Sequence, residues 1–99
     1  PNRCHVSASK SGLEGLMRAL AIELAPQRIT FNCVAPGAVD TARGATAGPM
    51  PSTLADRGIP LGRKATVDEI AGTVRYLVGP EGAYTTGQTI HVNGGVFLT

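Results

Sequence analysis

The chain has 99 residues, 42% of them hydrophobic, 16% charged and 4% aromatic, with no Trp, a globular composition far from the disordered and fibrous classes. Its formal charge is +2 and its nine Lys and Arg are spread along the chain, so no basic run points to nucleic acid or to a membrane surface. No apolar stretch approaches the ~18 residues of a membrane span, and Cys4 and Cys33 make no disulfide framework, which fits a reducing, cytoplasmic setting.

From Ser7 to Leu24 the pattern is helical. Leu13, Leu16, Met17, Leu20, Ala21 and Leu24 recur at steps of three and four as one apolar stripe. Small residues (Ala8, Ser11, Gly12, Gly15, Ala19) fill much of the remainder, Ser7 and Ser9 are placed to cap the start, and Pro26 marks the end. Ile29-Thr-Phe-Asn-Cys-Val-Ala35 reads as a strand buried on both faces, stopped by Pro36-Gly37. Glycines and prolines then interrupt every period over residues 36–65, which predicts a long functional loop or lid with a short helical turn around 52–57.

Thr66-Val-Asp-Glu69 fits a capping box, and Val67, Ile70, Ala71, Val74, Leu77 and Val78 predict a helix that Gly79-Pro80 stops. Gln88-Thr-Ile-His-Val92 alternates like a strand and ends in Asn93-Gly94-Gly95. The order helix, strand, lid, helix, strand favours parallel pairing and an α/β sheet. Two strands and two helices are too few to complete a doubly wound sheet, and the chain begins at Pro1. The expectation is therefore that residues 1–99 are the C-terminal part of a larger domain whose N-terminal half is absent.

Four motifs carry a resemblance. Ser7-Ala8-Ser9-Lys10-Ser11-Gly12 resembles the active-site helix of the short-chain dehydrogenase/reductases. Asn32-Cys-Val-Ala-Pro36-Gly37-Ala-Val39-Asp-Thr41 is similar to their strand and turn beside the nicotinamide. Thr86-Gly87-Gln88 and Val92-Asn93-Gly94-Gly95 look like their last strand and its tail. The motifs occur in the family's order and spacing across essentially the whole chain, and are most similar to those of the 3-oxoacyl carrier-protein reductases.

The resemblance implies the C-terminal part of a doubly wound, parallel-sheet Rossmann fold, and hydride transfer between NAD or NADP and a carbonyl or alcohol substrate. That substrate is a small molecule or is carrier-bound. In the family a Tyr hydroxyl exchanges the substrate proton, and a Lys four residues later binds the cofactor ribose and lowers the Tyr pKa. Lys10 stands in that catalytic and cofactor-binding position, but the residue four before it is Val6. Val carries no ionisable proton, and losing such a group costs about 10²–10⁴-fold in rate. His5 is titratable but points about 100° away along a helix, so the bland reading of an exposed helix-start histidine is preferred. The family's other catalytic residues, an Asn and a Ser, and its glycine-rich phosphate loop belong upstream of Pro1.

Each site also has a plainer reading. Lys10 is either a solvated helix lysine or the ribose ligand, and its Ser-, Ala- and Gly-rich motif favours the second. Pro36 and Gly37 are either a strand stop or the wall of the nicotinamide pocket. In the latter case the Val39 backbone meets the carboxamide, and the Thr41 hydroxyl reaches the carboxamide or a phosphate. Asn93-Gly94-Gly95 is mainly a structural turn near a subunit contact, and His91 a structural histidine. Arg28 occupies a turn where relatives often carry Gly or Asn, and costs about 1 kcal/mol if the backbone there is left-handed. The family packs the first helix against its mate, which implies a homodimer or homotetramer. No His, Cys, Asp and Glu cluster has metal-ligand spacing, so no metal is expected. Because of Val6, a cofactor-binding pseudoenzyme or dimerisation partner of the same fold stands as the alternative to an active oxidoreductase. A member donating its proton from another group, as some enoyl-type reductases do, is a third reading.

Overall fold

The first helix, α1 (Cys4–Glu23), starts three residues before the expected start at Ser7. A computed structural model describes residues 3–41 and 58–98, so the expected helical turn around 52–57 lies outside the described residues. Neither serine caps α1. Ser7 lies inside the first turn with its N–H on Arg3 O at 2.9 Å, and Ser9 Oγ donates back to Val6 O at 3.0 Å. That back-bond uses the hydroxyl that would otherwise serve a helix start.

The chain divides into two compact units, Pro1–Cys33 with Tyr76–Ile90, and Val34–Arg75 with His91–Thr99. In the first, Met17 and Ala21 of α1 are buried, whereas Leu13 and Leu16 remain 61% and 55% exposed. The predicted single stripe therefore divides into a packed part and an open part. After α1 a 3-10 turn (Ala25–Gln27) holds Pro26, and Arg28 adopts φ 61° and ψ 33° with its N–H on Ala25 O at 2.9 Å. The left-handed backbone on which the cost of Arg28 depends is present.

Strand β1 (Cys33–Pro36) is shorter than the expected 29–35 run, and Asn32 supplies the reason. Its Nδ2 donates to Thr85 O at 2.9 Å and its Oδ1 accepts from Gln88 N–H at 3.1 Å, so a side chain stands where ladder rungs would be. Just before it, Phe31 N–H donates to Thr86 Oγ1 at 3.1 Å, and Gly87 N–H donates to Phe31 O at 2.7 Å. Gly87 makes that bond at φ +74°, a backbone conformation that glycine adopts without penalty.

Two further short strands, β2 (Val39–Asp40) and β3 (Ala65–Thr66), pair in parallel with Val39 opposite Ala65. They bracket the segment expected to be loop from 36 to 65. Two-residue strands are too brief to show a period, which is why the sequence reads as uninterrupted loop there.

Helix α2 (Val67–Val78) and strand β4 (Thr89–Val92) follow the expected boundaries closely. The capping box is formed in both directions: Glu69 N–H donates to Thr66 Oγ1 at 3.1 Å, and Thr66 N–H donates to Glu69 Oε1 at 2.9 Å. Strand β4 pairs with β1. Cys33 N–H meets Gln88 O and Gly37 N–H meets Val92 O, each at 2.9 Å. Both partners advance by four residues, so the two strands run parallel, as the helix between them requires.

Candidate functional site

Lys10 lies on α1 in the first unit, exposed, and among the described residues it makes no ion pair and no side-chain hydrogen bond. Val6 is half-buried one turn earlier on the same helix, and His5 is exposed. Positions four apart share a helix face whereas adjacent ones do not, so Val6 rather than His5 shares a face with the Lys10 ammonium.

The remaining expected residues belong to the second unit, where Gly37, Val39 and Thr41 follow one another through a single turn. Gly37 closes the end of β1, and a Cβ built there would lie 2.9 Å from both Cα and Cβ of Asn93. Real side chains do not approach so closely, so this turn requires glycine. Asn93 is itself fixed: its Oδ1 accepts from Gly95 N–H at 3.0 Å and its Nδ2 donates to Phe97 O at 3.1 Å. Gly94 and Gly95 then turn at φ +63° and +94°. Two motifs far apart in the sequence thus meet in one joint.

Val39 is half-buried in β2, and its carbonyl accepts the Thr41 N–H at 3.0 Å. Thr41 is exposed just beyond β2, and no partner of its hydroxyl occurs among the described residues. Pro36 is exposed at the end of β1.

A cavity of ≈ 90 Å³ lies nearby, between Ala38, Leu61, Ala65, Val92 and Asn93. It is well below the ~300 Å³ at which ligand pockets begin, and none of the expected site residues lines it. At its rim the Arg63 guanidinium grips Glu69 with both nitrogens, at 2.7 and 2.8 Å. That bidentate bond, followed by the Thr66 N–H, lowers the Glu69 carboxyl to a pKa of about 2. His91, on β4, is exposed with its ring tilted against Phe97 at 5.3 Å; it performs packing.

Sequence reading missed three polar arrangements. In the sequence Asn32 stands out only as part of a motif. The Arg63–Glu69 pair stayed hidden because it joins a loop to a helix. The third is a 2.6 Å bond from Thr89 Oγ1 to Glu14 Oε2, in a half-buried setting of the first unit. A carboxylate among the leucines and small residues of α1 was the available signal for it.

The chain matches the family described as Enoyl-(Acyl carrier protein) reductase over residues 1–97. Nodulation protein G of Rhizobium sp. (strain N33) is 43% identical over 98 residues, covering 99% of this chain and 40% of that protein. The 3-oxoacyl-(acyl-carrier-protein) reductase FabG of Escherichia coli (strain K12) is 40% identical over 98 residues, covering 97% of this chain and 39% of FabG. Among solved structures, acetoin dehydrogenase YohF from Salmonella typhimurium matches with a TM-score of 0.76 at 37% identity, covering 93% of this chain and 34% of that one. The chain belongs to the short-chain dehydrogenase/reductase family of oxidoreductases and has their α/β Rossmann architecture. It spans about 40% of the length of the curated relatives it matches.

Proposed function

We propose that this chain is the C-terminal part of an NAD(P)-binding domain in an oxidoreductase that moves hydride between NAD or NADP and a carbonyl or alcohol carbon. Val6 then occupies the position of the family's proton-donating Tyr. The observation that carries the reading is the exposed Lys10 ammonium, one helical turn past Val6 and without a partner among the described residues. An ammonium of this kind has donors to spare for vicinal ribose hydroxyls. The open Thr41 hydroxyl and the turn that Gly37 makes against Asn93 suit the amide end of a nicotinamide. Each unit taken by itself offers a fitting part: Lys10 in the first suits the ribose, and the turn up to Thr41 in the second suits the nicotinamide amide.

When bound, the nicotinamide supplies the hydride acceptor or donor. Lys10 would bind the ribose, the Thr41 hydroxyl would hold the carboxamide or a phosphate, and the Val39 backbone would meet the carboxamide. The acyl-carrier reductase named among the relatives supports a carrier-bound or small carbonyl substrate. The open Leu13 and Leu16 of α1 support assembly as a homodimer or homotetramer. Val6 favours a second reading in which the fold and the cofactor site persist without turnover, as in a pseudoenzyme.

Nucleotide binding by the intact protein, followed by NADH or NADPH fluorescence, tests the proposal. Lys10→Met is expected to weaken it about tenfold or more, from the loss of charged hydrogen bonds. Val6→Tyr is expected to raise hydride transfer by about 10²–10⁴-fold. Binding without turnover in either the wild type or the Val6→Tyr variant selects the pseudoenzyme reading. Absence of nucleotide binding overturns both.

A further inference from the structure

Glu14 stands one turn beyond Lys10 and one turn before Arg18 on α1, so both cations lie within reach of pairing four residues apart. Among the described residues its carboxylate takes neither. Thr89, the first residue of β4, donates its hydroxyl to Glu14 Oε2 at 2.6 Å. A bond this short from a hydroxyl to a carboxylate is a charge-assisted one, roughly twice as strong as its neutral counterpart. It is also half-buried, so water competes for it less than for a surface ion pair.

We infer that Thr89 is a positioning residue for nucleotide binding. By tying the Glu14 carboxylate to β4 it keeps the Lys10 ammonium unpaired and directed at the ribose. The inference rests on the reading of Lys10 given above as the ribose-binding residue. Lys10 touches the ligand, whereas Thr89 acts through Glu14 and touches nothing that reacts. Once the hydroxyl is gone, Glu14 turns to its helical neighbours. Arg18 competes with Lys10, because a carboxylate placed before its cation is the better order on a helix.

The test is nucleotide affinity of the intact protein with Thr89→Val, alone and combined with Arg18→Gln, which removes the competing partner. The expected result is a loss of about two- to fivefold, the scale of an exposed ion pair, and a larger loss in the combined variant. Adding Glu14→Gln to Thr89→Val restores affinity, since the competing carboxylate is then gone. The ratio of variant to wild type narrows toward one at ~1 M salt, where such pairs are screened; a merely structural defect would respond to neither change.

The Glu14 side-chain ¹³C resonance supplies a readout that needs no nucleotide. Lys10→Met should move it in the Thr89→Val background and leave it still in the wild type. Unchanged affinity in both Thr89→Val proteins, or no recovery with Glu14→Gln, overturns the role of Thr89 while the functional reading stands. A wild-type protein that binds no nucleotide overturns that reading, and this role with it.

Discussion

Arg28 is held at φ 61° by the 3-10 turn before it and by its own N–H bond to Ala25 O. An L-residue with a Cβ loses roughly 1–2 kcal/mol in that region, and glycine recovers most of this at some cost in unfolded-chain entropy. Arg28→Gly is therefore expected to stabilise the protein by about 0.5–1 kcal/mol, seen as a higher urea midpoint with unchanged slope. At this scale the spacing of four that puts Val6 and Lys10 one turn apart on α1 was legible in the sequence. Asn32 and Glu14 were not, because each acts on a residue more than fifty positions away, and no local period encodes such a partner.

At the scale of elements, α2 begins with its capping box made and its Glu69 gripped by Arg63. The Glu69 pKa is depressed in the fold, so its contribution is present above the ordinary carboxylate range and disappears as pH falls from 4.5 through about 2. Helix stability followed by circular dichroism between pH 6 and 2 should decline over that window, and Glu69→Gln should flatten the decline. This helix and β4 were readable almost to the residue, since caps and strict alternation are local signals. Strand β1 was overread because Asn32 spends its amide on rungs that the backbone would otherwise fill. Strands β2 and β3 exist only through their pairing with one another, and that pairing is not local.

Across the whole molecule, few side chains find full cover. Among the described residues Met17 and Ala21 make up the buried apolar core, while Leu13, Leu16 and Ile22 of α1 and Phe97 and Leu98 near the end stay more than half exposed. Exposed apolar side chains of this size favour association. The 99-residue polypeptide by itself should bind an apolar dye such as ANS and self-associate on size-exclusion chromatography. Replacing Leu13 and Leu16 with Ser should reduce association without loss of helical signal. The sequence offers two strands where four occur among the described residues; which apolar residues lie uncovered was equally illegible, because a helical stripe does not say how wide its cover is.

The joint between Gly37 and Asn93 carries a consequence for descent. One of the two atoms that a new Cβ at position 37 would strike is the backbone Cα of Asn93, at 2.9 Å. No exchange of side chain at position 93 alone makes room, so the usual route of a permissive neighbour followed by a second change is closed. A lineage carrying this turn inherits its glycine as a fixed character.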